Sequence, residues 1–175
     1  MLNLFAYAGG FSVHALAGGA REAWSVDVAE AALRDAERNV ALNGLPADRH
    51  RTVRADVFEA LPRWAEAGER FDLVVLDPPS LARSKRQRAR AEAAYRRLNA
   101  GAARLVAPGG LLATASCTAQ VAPAAFEAAV RAGLREAGRA GRVEHRGGQP
   151  ADHPLRPSFP DGRYLKFVVL RLDPS

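Results

Sequence analysis

Residues 71–80, Phe71-Asp72-Leu73-Val74-Val75-Leu76-Asp77-Pro78-Pro79-Ser80, limit the possible fold more than any other stretch. Five of the first six are apolar without alternation, as expected of a central strand covered on both faces in a parallel sheet. The run then stops at an acid followed by two prolines. Proline keeps its predecessor extended and has no N–H to donate, so the pair stiffens the chain where a ligand could approach. In an open α/β sheet ligands bind at the carboxyl ends of the strands, where Asp77 would stand. The plain alternative is an aspartate that caps a following helix.

Upstream, Met1–Phe5 reads as a short strand, and Ala6-Tyr7-Ala8-Gly9-Gly10-Phe11-Ser12 turns it into a helix over Val13 to Ala17. Small residues let the backbone approach a ligand, and the helix N-terminus offers unpaired N–H groups. The turn matches neither the P-loop nor the full dinucleotide fingerprint. Ala23 to Val26 forms a second strand ending in Asp27, 18 residues after Gly9. An acid there can accept hydrogen bonds from both ribose hydroxyls of an adenosine ligand, or cap the helix Ala29 to Leu42. That helix sets Ala29, Leu33, Ala36 and Val40 on one stripe and stops at Asn43-Gly44. A third strand around Thr52-Val53-Arg54 ends at Asp56, placed to receive an adenine amino group. A helix from Val57 to Ala67 follows, with Ala60, Leu61 and Trp64 inward. Three acids at corresponding edges of a βαβαβ pattern build a cleft.

After Asp77, Arg83, Lys85, Arg86, Arg88, Arg90, Arg96 and Arg97 crowd one segment in which Glu92 is the only acid. The pattern predicts a helix from about Gln87 to Val106 with Leu98, Ala102 and Leu105 on its core face, broken by Pro108-Gly109-Gly110. A strand over Leu111 to Thr118 then carries Cys117 at its exit, beside the Asp77 strand if neighbours follow their usual order. A lone cysteine commonly packs as a small hydrophobe; at a strand's carboxyl edge it is also placed to be a nucleophile. A helix over Pro123 to Ala137, a loop over Gly138 to Gly148 with a short strand near Val143, an irregular stretch over 149–154 and a last strand over Tyr164 to Arg171 complete the chain. The last two strands are expected to pair as an antiparallel hairpin. The whole is expected to form one α/β domain over residues 1–175.

With 25 Lys and Arg against 19 Asp and Glu, the formal charge is +6 and the pI near 10.4, which favours a polyanionic partner. The single cysteine excludes an intramolecular disulfide and a multi-cysteine metal site, and the four histidines lack ligand spacing, so no metal is expected. No apolar run approaches the roughly 20 residues of a membrane span, and no secretory leader is visible. A soluble cytoplasmic protein, monomer or homodimer, is the expectation.

The ordered set LNLFAYAGGFS, SVD, LNG, AD, LDPPSLARSK, PGGLL, SCT, GQPADHP and FPDGRYLK resembles the catalytic domain of the bacterial 23S rRNA cytosine-5 methyltransferases of the RlmI type, from Met1 to Leu172. The resemblance implies a Rossmann-like class I methyltransferase fold. Its mostly parallel, seven-stranded sheet would carry helices on both faces and an antiparallel C-terminal strand. It implies S-adenosylmethionine as cofactor, with S-adenosylhomocysteine as product. Asn3, Phe5, Ala6, Tyr7, Gly9, Phe11 and Ser12 would cradle the methionine part, Asp27 with Val28 the ribose, and Asp56 with Val57 the adenine. Asp77 and Pro78 would face the target base, Cys117 would be the nucleophile, and Ser84, Lys85, Arg86 and Arg88 would contact the rRNA. Relatives that methylate guanine N7 share the aspartate-proline-proline pattern but carry asparagine where Cys117 stands, which favours the cytosine branch. Members of the family begin with an RNA-binding PUA domain and a connecting hairpin, of which this sequence shows neither.

Carbon 5 of cytosine is a poor nucleophile, which is why a thiolate is needed at carbon 6. The thiol would need a lowered pKa, for which Lys85 or the nearby arginines are candidates. Two other readings stay open. One is a methyltransferase for guanine or a small molecule, with Cys117 structural. The other is a cofactor-binding domain that is silent without an N-terminal module.

Overall fold

The computed structural model describes all residues except 151–153, 155–157, 159–161, 163 and 175. Three of the residues expected to be irregular (151–153), and four of the FPDGRYLK motif (159–161 and 163), therefore lie outside the described residues.

Seven strands form one sheet in the order β3-β2-β1-β4-β5-β7-β6. They are β1 (Leu2–Leu4), β2 (Ala23–Asp27), β3 (His50–Arg54), β4 (Phe71–Leu76), β5 (Val106–Ser116), β6 (Gly141–Gly147) and β7 (Lys166–Leu172). The first five run parallel, and β7 is antiparallel to both β5 and β6. This is the expected doubly wound sheet, with its strand order reversing between β1 and β4, where open α/β sheets bind ligands.

The helices are α1 (Gly10–Ala17), α2 (Glu30–Leu42), α3 (Val57–Glu66), α4 (Arg88–Leu105) and α5 (Pro123–Glu136). Helices α1 and α2 cover one face around Leu16, Ala23 and Val40. Helices α3 and α4 cover the other, with α5 packed on α4, over a core that includes Leu2, Leu4, Val74, Leu76, Tyr95, Leu98, Leu112 and Phe126. As its unalternating sequence demands, the end of β4 is fully enclosed: Val74, Val75 and Leu76 are all buried.

Several boundaries differ from the sequence expectation for identifiable reasons. Helix α1 starts at Gly10 rather than Val13, because Gly9 at φ +76° turns the chain directly into it. On α2 the buried stripe is Ala32, Leu33, Ala36 and Val40, while Ala29 is the exposed N-cap. Trp64 is half-buried, edge-on to Trp24 at 6.0 Å. Pro108-Gly109-Gly110 does not break α4, which has already ended at Leu105; the three residues sit inside β5. Pairing with β4 slips there between Phe71 and Leu73, and such an irregularity is where a proline without an N–H is tolerated in a sheet. The last strand begins at Lys166 rather than Tyr164, and the strand expected near Val143 extends over seven residues as β6.

Candidate active site

The carboxyl ends of β1 to β5 open into a cavity of about 670 Å³, within the range of small-molecule and cofactor sites. Its construction begins with the turn after β1. Phe5 and Tyr7 adopt φ of +59° and +47°, a left-handed conformation that costs ordinary residues of order 1–3 kcal/mol each. Hydrogen bonds hold the turn in this form: Ala6 N donates to Val26 O at 2.9 Å, Gly9 N to Ala6 O at 2.8 Å, and Tyr7 N to Asp27 Oδ2 at 3.0 Å. The other oxygen of Asp27 accepts from Ala29 N at 3.0 Å. Asp27 is thus fixed by two backbone donors, and each oxygen keeps a lone pair for a ligand.

Gly9 has a second reason to be glycine. A Cβ there would stand 2.7 Å from Ala36 Cβ on α2, so its small size serves the packing of α2 as well as the turn. Beneath the turn, Asn3 Nδ2 donates to Ser12 Oγ at 3.1 Å, Ser12 Oγ meets Ser25 Oγ at 2.7 Å, and Ser25 Oγ meets His50 Nε2 at 2.8 Å. Burial lowers the pKa of His50, while Glu37 opposes the shift. Asn3 Oδ1 is buried without a hydrogen-bond partner among the described residues, leaving an acceptor open under the turn.

Asp56 is the N-cap of α3, its Oδ1 accepting from Phe58 N at 2.7 Å, the arrangement that favours aspartate at a helix start. Phe58 then packs edge-on to Phe5, with ring centroids 6.5 Å apart, and both rings line the cavity.

On the other side, β4 and β5 pair in register through Leu76 and Thr114, which brings the residues beyond their ends together. The Cys117 thiol points at Pro78 O across 3.8 Å. Thr118, buried behind it, is a hub: its Oγ1 accepts from Leu81 N at 3.0 Å and meets Tyr95 Oη at 2.7 Å, while its carbonyl accepts from Lys166 Nζ at 2.7 Å. The Pro78-Pro79 loop is thereby tied to the exit of β5. Burial raises the pKa of Asp77. Burial and then Asp77 also raise that of the Cys117 thiol, against a downward pull from its backbone hydrogen bond and from Lys166. Burial lowers the pKa of Lys166 to about 8. The cation that acts on Cys117 is therefore Lys166, and not Lys85 or the arginines proposed from sequence, which are exposed on the segment after Ala82.

Of the residues singled out from sequence, Phe5, Tyr7, Asp27, Val28, Asp56, Val57, Asp77, Pro78 and Cys117 line the cavity. Asn3, Ala6, Gly9 and Ser12 are buried beneath its wall rather than on it, and Phe11 is exposed on α1. Ser84, Lys85, Arg86 and Arg88 are exposed outside it. Not all of the basic segment is free of acids: Arg88 pairs with Glu92 at 3.0 Å, and the fold brings Glu136 of α5 within 3.6 Å of Arg96.

Sequence reasoning assigned no role to Phe58, Gln149, Pro150, Tyr164 and Leu165, which also line the cavity, or to Lys166. Gln149 bridges the two segments that close it, its Nε2 donating to Gly162 O at 2.6 Å and its Oε1 accepting from Leu165 N at 3.2 Å. For all but Phe58 the signal was their place in the GQPADHP and GRYLK stretches, with no chemistry readable from type or spacing.

The cavity suits S-adenosylmethionine. Two aromatic rings offer an apolar wall, and the carboxylates of Asp27 and Asp56, which line the cavity, are held by backbone donors. Comparisons agree. The chain is 46% identical over 173 residues to a ribosomal RNA large subunit methyltransferase of Deinococcus radiodurans, covering 99% of this chain and 42% of that protein. It is 42% identical over 171 residues to the ribosomal RNA large subunit methyltransferase I of Aeromonas salmonicida, covering 98% and 43%. The chain thus spans less than half the length of the curated relatives it matches. Among solved structures, a methyltransferase complexed with SAH superposes with a TM-score of 0.84 at 24% identity, over 97% of this chain and 44% of the other. NSun6 from Pyrococcus horikoshii, with SFG, superposes with a TM-score of 0.72 at 20% identity, over 97% and 47%. At such identities these two likenesses show the fold alone. A family model of S-adenosylmethionine-dependent methyltransferases matches residues 1–159. With nine-tenths of its length matched, the chain belongs to the S-adenosylmethionine-dependent methyltransferases, and its cofactor is S-adenosylmethionine.

Proposed function

We propose that the chain methylates carbon 5 of a cytosine in large-subunit rRNA, with Cys117 as the nucleophile. The observation that carries this reading is the meeting of Cys117 with the Asp77-Pro78 edge in a cavity also lined by Phe5 and Tyr7. The names of the relatives supply the rRNA.

When bound, the cofactor supplies an electrophilic sulfonium methyl. Asp27 and Val28 would hold its ribose, Asp56, Val57 and Phe58 its adenine, and Asn3 with the Phe5–Gly9 turn its amino-acid part. The Cys117 thiolate adds to carbon 6 of the cytosine, and the electrons of the 5,6 double bond make carbon 5 nucleophilic toward that methyl. Asp77, whose burial favours the protonated carboxyl, hydrogen-bonds the N3 and amino edge of the base as negative charge moves onto the ring. Once carbon 5 carries the methyl, its proton goes to a base, the double bond re-forms and Cys117 leaves as thiolate.

Reaching carbon 6 requires the cytosine to leave its stack, at a cost of about a few kcal/mol that phosphate contacts offset. The exposed Ser84, Lys85, Arg86 and Arg88 flank the Pro78-Pro79 loop and are suited to make those contacts. The test is methyl transfer from labelled cofactor to protein-free 23S rRNA, with the product digested to nucleosides. Label in 5-methylcytidine is expected; label in a guanosine derivative would overturn the reading.

A further inference from the structure

Lys166 is a buried lysine with no place in the reaction described so far. It opens β7, where its Cα pairs with that of Ser116, the residue before Cys117, while its Nζ donates to the carbonyl of Thr118, the residue after Cys117. The side chain thus straddles the nucleophile from the neighbouring strand, 7% exposed, beside Phe126 of α5. An ammonium in such a place is costly unless a charge or several acceptors compensate it. One carbonyl is the acceptor that the described residues provide.

We infer that Lys166 is a positioning residue for the nucleophile: its ammonium, clamped on the Thr118 carbonyl, holds a positive charge beside Cys117 and favours the thiolate over the thiol. The inference rests on the reading of Cys117 as nucleophile and adds the group that activates it. The other titratable groups at this end of the sheet act in the opposite direction or on each other. Asp77 from β4 disfavours the thiolate, and Tyr95 from α4 hydrogen-bonds Thr118. Glu127 of α5 and Arg146 of β6, beside Lys166, pair with each other at 3.0 Å. Among the described residues Lys166 is therefore the cation opposing burial and Asp77. The pull is mutual, since the thiolate raises the pKa of Lys166 against its own burial.

The alternative is a lysine that merely straps two strand ends together. Lys166→Met keeps the chain length and removes the charge. Alkylation of Cys117 by iodoacetamide, followed across pH by intact mass, is expected to shift its midpoint up by about one unit or more in Lys166→Met, and to stay near the parent in Lys166→Arg. Unchanged binding of S-adenosylmethionine by calorimetry would show that the fold persists. Coincident alkylation profiles in parent and Lys166→Met would overturn the inference.

Should Lys166→Met not fold, the reciprocal measurement decides. Coupling between two titrating groups is mutual, so in Cys117→Ala the Lys166 midpoint, read by NMR of labelled lysine, is expected to fall below its parent value near 8. An unmoved midpoint would overturn the inference. Neither measurement uses RNA or turnover, so their outcome stays separate from that of the cytosine assay.

Discussion

The two halves of the sheet end in aspartates of different kinds. On the β1-β2-β3 side, Asp27 and Asp56 are held by backbone N–H donors at 2.7–3.0 Å, and both line the cavity together with Phe5 and Phe58. On the β4-β5 side, Asp77 has no such donor among the described residues, and burial raises its pKa beside a thiol and a buried lysine. One half holds its carboxylates on backbone donors. The other is built from groups whose charges are unsettled by burial and by one another, a hallmark of sites where protons and bonds move. Under the proposed function, binding and chemistry would divide along the line where the strand order reverses.

That division can be broken by mutation. The largest effect is expected for Cys117→Ala, which should lower methyl transfer by at least about a thousandfold while leaving cofactor affinity unchanged; a variant that lost affinity as well would blur the boundary. Asp77→Asn is next, with a loss of about 10²–10⁴-fold expected in turnover. Removing a negative neighbour favours the thiolate, so the midpoint of Cys117 alkylation should move down in pH, opposite to the change expected for Lys166→Met.

On the receptor side, Asp27→Ala should weaken cofactor binding by about tenfold or more, the value of a charge-assisted hydrogen bond, with the Cys117 alkylation profile intact. Gly9→Ala should cost about 1–3 kcal/mol in urea unfolding, since it adds a methyl 2.7 Å from Ala36 Cβ at a φ of +76°. The smallest change should follow charge reversal at Lys85 and Arg86, which leaves both halves intact and lowers only the salt slope of RNA binding, by about one for each phosphate that is no longer neutralised.

Much of this architecture could be read from residues alone. The unalternating Val74-Val75-Leu76 run, the three terminal acids and the Asn43-Gly44 stop are local signals, and the sheet follows from them. The position of Cys117 beside the Asp77 edge also followed, because parallel neighbours bring their carboxyl ends together. What was illegible depended on partners distant in sequence. Gly9 was read for backbone approach to a ligand, and the close approach of Ala36 on another helix came only with the structure. Lys85 and the nearby arginines were candidate cations for the thiol because they follow the Asp77 edge in sequence. The residue inferred for that role comes from β7, 49 positions beyond Cys117, where an alternating strand gives no sign that its first buried position carries charge. Asp27 was read for a ribose, for a helix cap or for both, and its second oxygen also holds a turn whose positive φ values no sequence rule announces.

The division predicts a covalent bond on one side of the cavity and none on the other. A short single-stranded RNA carrying 5-fluorocytidine tests this most directly, because fluorine at carbon 5 cannot leave as the proton does and the adduct is trapped. With S-adenosylmethionine present, the account predicts an SDS-stable protein–RNA species of the combined mass plus one methyl group, attached at Cys117 and absent in Cys117→Ala. No such species in a protein that binds both cofactor and RNA, or one that survives in Cys117→Ala, would contradict it.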